Sequence, residues 1–181
     1  MAGAMTWARA EIQALLLRAA RGAGVPLSHA EDLAIAIADF GTNATLEAAA
    51  NALAEGWCDV DFSESGGTIT FNDARALVCL PVALDALAAG APRVELHNLD
   101  EPALIEPYLA AAHARVSVAA TAQGELWALD HAEQAPRKPL MDRFDPSQKV
   151  LDSLGELAAR TYVPASGASR DGAGAGAIDN D

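Results

Sequence analysis

Apolar residues recur at helical spacing through the first third of the chain. Ile12, Leu15, Leu16 and Ala19 predict an amphipathic helix over residues 6–21, stopped by Gly22, Gly24 and Pro26. Ser28 with Glu31 reads as a capping box opening a second helix, whose buried stripe is Leu33, Ile37 and Phe40 and whose end is Gly41. A third helix is expected over residues 45–55, with Leu46, Ala49, Ala50 and Leu53 inward and Gly56 closing it. Three successive helices predict an N-terminal helical layer.

At residue 57 the period drops to two. Trp57, Asp59 and Asp61 alternate with Cys58, Val60 and Phe62, and Ile69 and Phe71 share one face of residues 68–72, so a hairpin turning at Ser65, Gly66 and Gly67 is expected. Within residues 73–89 the pattern is apolar and Pro81 is read as the first helical position, with Gly90 as the stop. Arg93 to His97 alternates as a short strand; Asn98, Asp100 and Pro102 form a turn, and Pro107 is expected to break or kink the helix that runs to His113. Residues 115–121 and 125–130, joined at Gln123 and Gly124, make a second hairpin. Residues 135–146 read as a loop, and Asp145-Pro146 as the cap of a closing helix through Val150, Leu151, Leu154 and Leu157. The expectation is an α+β fold over residues 1–164: a helical layer, a small antiparallel sheet from two hairpins, and a closing C-terminal helix. A Gly/Ala/Ser-rich tail, residues 165–181, ends in Asp-Asn-Asp.

Composition adds a core and removes some partners. Of the 181 residues, 51% are hydrophobic and 5% aromatic, which excludes wholesale disorder and calls for a closely packed core of small and aliphatic side chains. A formal charge of -13 repels polyphosphate and anionic lipid, so neither nucleic acid nor membrane is an expected partner. Ten of the twelve basic residues are arginine, which suits a local grip on a carboxylate rather than a diffuse positive field. Two cysteines and the absence of a signal-like segment or a membrane-length apolar run give a cytoplasmic protein as the expectation.

Candidate chemistry concentrates in the tail. Gly172, Gly174 and Gly176 let successive backbone N–H groups converge on an anion, while Ser166, Ser169 and Arg170 supply hydroxyls and a guanidinium. Asp179 and Asp181 are the acid–base or cation-binding candidates, and Asn180 a further polar ligand group. The same composition also describes a solvated linker. Cys79, among aliphatic residues, reads as an inert buried thiol, and Cys58 as a core residue on its strand. His29, His97, His113 and His131 have no metal-ligand spacing, so no metal site is expected and no cofactor is indicated. Asp59 and Asp61 keep one strand face wet, and Arg137, Lys138 and Arg143 form a small basic island.

The closing stretch, with Pro164-Ala165-Ser166, Ser169-Arg170 and Gly172 to Asp181, is similar to the signature of a bacterial family of uncharacterised proteins, the domain-of-unknown-function family 3726. Residues 19–24 with Ala30-Glu31, then 77–82 and 102–112, match it more loosely. The resemblance brings no established activity, cofactor or partner, and implies that the tail is part of the working protein. Gly167 stands where that family carries glutamate, Leu80 replaces a small polar residue, and Glu106 interrupts an apolar stretch. If the acid carries a proton in the family, its absence here implies an altered or inactive member. The leading functional expectation is a tail that binds a small carboxylate-bearing ligand. The alternatives are a non-catalytic binding or assembly module docking its tail into a partner protein, and a chain that associates with its own copies through its alanine-rich helices.

Overall fold

The structure is a computed structural model and describes residues 6–133 and 142–161. Among the described residues, β1 (Trp7–Ala8), α1 (Arg9–Gly22), α2 (Leu27–Phe40) and α3 (Asn43–Ala54) come first. They are followed by β2 (Phe62–Ser65), β3 (Thr68–Phe71), α4 (Ala76–Ala88), β4 (Arg93–His97), a 3-10 turn (Pro102–Leu104) and α5 (Ile105–Ala112). The hairpin β5 (Val118–Gln123) and β6 (Leu126–His131), then β7 (Arg143–Phe144) and α6 (Gln148–Ala159), complete the fold.

The α+β class, the helical layer, the two hairpins and the closing helix are all present, and β4 joins the hairpins into one five-stranded sheet of order β2-β3-β4-β6-β5. That sheet is mixed: β4 pairs antiparallel with β6 but parallel with β3, because α4 carries the chain back between β3 and β4 as a crossover. On one face Ile69, Val94 and Leu129 align across the strands, as do Phe71, Leu96 and Trp127, and this face joins the apolar core beneath α4 and α5. On the other, Thr68, Arg93 and Asp130 align, as do Thr70, Glu95 and Ala128; Arg93 pairs with both Glu95 and Asp130. One apolar and one charged face is what period-two strands give when a sheet is covered on one side only.

The helical layer is built on small residues. Ala19, Ala20, Ala30, Ala34, Ala36, Ala48, Ala49 and Ala50 are all buried, so helix axes approach closely, α1 against α2 and α6. The approach is tightest at Gly22, where a Cβ would overlap the carbonyl oxygen of Leu157 in α6. No helix among the described residues is long and apolar enough to cross a membrane.

Several boundaries differ from expectation. Residues 7–8 are strand, not helix: they pair with Arg143 and Phe144, a partner no local pattern announces. The Ser28 capping box does not form, because Pro26 ends an extended stretch and the helix starts at Leu27; Ser28 lies inside the first turn and its hydroxyl meets the His29 ring instead. Residues 57–61 are not strand; among the described residues no strand pairs with them. Their apolar members Trp57 and Val60 pack on the core while Asp59 and Asp61 remain exposed. Pro81 lies inside α4 rather than at its start. Pro107 falls in the first turn of α5, where its missing N–H costs nothing, and α5 runs through it unbroken. The cap of α6 is Ser147, whose hydroxyl accepts from the Val150 N–H, rather than Asp145-Pro146.

Candidate functional site

Because β3 and β4 run parallel, the loops leaving their carboxyl ends lie side by side, and this edge of a sheet is where α/β folds place ligands. The two loops are cross-linked. The Ala74 N–H donates to the His97 carbonyl at 2.9 Å, and the Asp100 N–H to the Ala74 carbonyl at 3.1 Å. Asp73 and Asn98 both hold left-handed backbones, φ 47° and 51°, and the Asn98 side-chain amide donates to Asp73 Oδ1 at 2.9 Å. Short Asx side chains tolerate this region best among non-glycine residues, yet it is held only where surroundings over-determine it.

Asp100 anchors the arrangement. Its Oδ1 accepts from the Ala76 N–H at 2.8 Å and the Glu101 N–H at 2.7 Å, and its Oδ2 accepts from Arg75 Nε at 2.8 Å. Ala76 is the first residue of α4, so a carboxylate 24 positions downstream caps that helix, where its charge also meets the positive end of the helix dipole. Arg75 is thereby fixed with Nε engaged, and the nearest partner of Nη1 is the Cys58 sulfur at 3.9 Å.

Two open depressions flank Arg75. One, of about 320 Å³, lies against the end of α3 and is lined by Asn51, Ala52, Glu55, Arg75, Asp100 and Glu101. The other, of about 560 Å³, runs along residues 58–63 to Asn72, Asp73 and Arg75. Glu55, Asp100 and Glu101 put three carboxylates in the first, Asp59, Asp61 and Asp73 three in the second, and Arg75 on the wall between is the cation of both. The edge attracts positive charge overall and offers one guanidinium at its centre.

The two thiols differ. Cys79 is fully buried in the first turn of α4, and burial pushes its pKa up to about 12 despite the opposing hydrogen bond to the Arg75 backbone. It is inert, as its aliphatic surroundings suggested. Cys58 is not a core strand residue: it lies half-buried in the irregular segment and lines the larger depression.

Of the residues singled out in the sequence, Ser166, Ser169, Arg170, Gly172, Gly174, Gly176, Asp179, Asn180 and Asp181 lie outside the described residues, as do Arg137 and Lys138. Arg143 sits in β7 and donates to Thr6 Oγ1 at 2.9 Å. Asp59 and Asp61 do reach a common depression, though not from a strand. His97 faces Glu95 at 3.8 Å on the charged sheet face, and His29 meets Trp57 edge-on at 5.0 Å, so the histidines are dispersed. No cluster of three or more His, Cys, Asp or Glu among the described residues is placed to hold a metal ion.

Sequence reasoning read Asn98 and Asp100 only as turn residues and passed over Asp73 and Arg75. The signal available was a pair of Asx residues, each just after a strand, followed by Arg75 and Asp100; only the parallel pairing brings them together. The packing of Gly22 on Leu157 sets the last turn of α6 beside the end of α1. There α2 begins, and its His29 touches Trp57, the residue before Cys58. Compared with protein-family models, curated proteins and solved structures, the chain matches none.

Proposed function

We propose that the protein binds a small carboxylate-bearing ligand at the carboxyl edge of the β3–β4 pair, and that this ligand also carries an ammonium group, as an amino acid does. The observation that carries the reading is the position of Arg75, fixed through Nε by Asp100, on the wall shared by two depressions whose other charged groups are carboxylates. A guanidinium held through Nε and lining both depressions is suited to a carboxylate. The carboxylates of Asp59, Asp61 and Asp73 then select a ligand with a positive group and disfavour one with a second negative charge. Ser166, Ser169 and Arg170 follow Thr161 by five, eight and nine residues, a reach of up to about 18, 29 and 32 Å when extended, and in this reading they join Arg75 on the same ligand.

Calorimetric titration of the full chain with alanine, propionate and ethylamine tests this. Alanine binds and its two halves bind at least tenfold more weakly; Arg75→Ala abolishes binding and Arg75→Lys retains part of it. Arg170→Ala weakens binding without lowering stability. Equal affinity for alanine and propionate, or unchanged binding in Arg75→Ala, refutes the assignment.

A second reading, a non-catalytic assembly module, is favoured by the edge strand β2, all of whose residues are exposed and whose Phe62 is 60% exposed. Light scattering across concentration tests self-pairing at this edge: Phe62→Asp abolishes a dimer, and a monomer throughout sets it aside.

A further inference from the structure

On the opposite side of the core from the charged sheet face, a groove of about 250 Å³ runs between α2, α4 and α5. Its walls are apolar: Leu84 and Ala112 are buried, while Ile35 is 40% exposed, an unusually open position for isoleucine. Two polar residues, Asp32 and Tyr108, interrupt this apolar lining. Tyr108, 2% exposed, lines the groove with a buried hydroxyl that has no hydrogen-bond partner among the described residues. Asp32, from α2, borders it and makes neither an ion pair nor a hydrogen bond among the described residues. The third polar residue, Arg115, is already taken by Asp85 at 2.9 Å.

A buried hydroxyl without a partner is uncommon in folded proteins and calls for an explanation. Burial first, and the nearby Asp32 carboxylate second, hold the Tyr108 phenol well above its ordinary range, so it remains neutral and able both to accept and to donate. A negative ligand would meet Asp32, and an uncharged apolar one would leave both polar groups unanswered. A group with several N–H donors answers both at once.

We infer that this groove binds a small primary amine with a compact apolar body, its ammonium donating to the Asp32 carboxylate and to Tyr108 Oη while its hydrocarbon covers Ile35 and Leu84. The volume lies just below the usual range of ligand pockets, which limits the occupant to a short alkyl- or arylalkylamine. The site is separate from the Arg75 edge and does not depend on it.

Titration of the full chain with isobutylamine, followed through the methyl resonances of Ile35 and Ala111, tests the inference. Saturable shifts are expected with isobutylamine, with isobutanol and isobutyrate at least tenfold weaker, and with unchanged affinity in Arg75→Ala. Tyr108→Phe and Asp32→Asn each weaken the amine about tenfold. Should Tyr108→Phe fail to fold, Asp32→Asn, which changes a partly exposed side chain, gives the same test. Absence of saturation, equal affinity for the alcohol, or full affinity in a folded Tyr108→Phe or Asp32→Asn chain overturns the proposal.

Discussion

Replacing Tyr108 by phenylalanine removes one oxygen atom and keeps the ring that fills the space under α5. When a tyrosine hydroxyl is hydrogen-bonded, such a change loses about 0.5–1.5 kcal/mol and strands the former partner. Here there is no partner among the described residues, so the folded state already carries the desolvation cost of a buried, unanswered hydroxyl, of order 1–3 kcal/mol. Tyr108→Phe is therefore expected to stabilise the ligand-free chain by about 1 kcal/mol, since the phenol also loses its hydration cost in the reference state only in part. For a chain of 181 residues that corresponds to a rise in Tm of about 2–4 °C. Urea unfolding followed by far-ultraviolet circular dichroism at pH 7 measures it, with an unchanged m-value as the check that only stability moved. The pH dependence supplies a second reading with a definite sign. In the folded chain the phenol is held above its ordinary value of 10.0, so above pH 10 the unfolded state loses a proton that the folded state keeps, and wild-type stability falls. The phenylalanine variant lacks that loss, and its advantage grows with pH. A variant less stable than wild type by about 1 kcal/mol or more at pH 7, with no change in m, would show that the hydroxyl has a partner, and the reasoning would fail.

Four other outcomes are expected. A water-soluble thiol reagent at pH 8 modifies Cys58 alone in the folded chain and both thiols in denaturant; early reaction of Cys79, read by mass spectrometry, contradicts its burial. Cys79, held at about 12 against 9.0 unfolded, keeps its contribution to stability below pH 9 and loses it as pH rises toward 12. Cys79→Ala therefore shows a shallower alkaline slope in equilibrium unfolding. Asp100→Ala removes the cap of α4 and the partner of Arg75 and lowers stability by about 2 kcal/mol, most of it from the cap because the ion pair is partly solvated. Gly22→Ala drives a methyl group into the Leu157 carbonyl and costs about 1–3 kcal/mol by thermal unfolding; a neutral result places α1 and α6 further apart than described.

Where the determinants were local, the chain could be read. The stripe of Leu46, Ala49, Ala50 and Leu53, the alternation through Arg93 to His97 and the turn at Gly124 each follow from the spacing of neighbours a few residues apart. Where a partner lay far along the chain, reading failed. The start of α4 was hidden because its cap is Asp100, beyond the next strand, and Pro81 stood as the nearest local punctuation. Trp7 and Ala8 became strand because of Arg143 and Phe144, more than 130 positions away. The same holds for the site: Arg75 and Asp100 look like ordinary surface charges until parallel pairing of β3 and β4 sets their loops in contact. The tail candidates, Arg170 foremost, were legible as a composition, and they lie outside the described residues.

The bond from Asp100 to the first amide of α4 has a bearing on how this part of the molecule comes apart and together. A helix that borrows its opening turn from a loop beyond the following strand cannot be completed early, while the chain is still local. Crossover helix, strand and both loops should then open as one cooperative unit, with the Ala76 amide exchanging its hydrogen at the same rate as those that bind β4 to β3. Any molecule that settles on that edge would tighten the whole unit, and the seal would be felt at the far end of α4 as well as where contact is made.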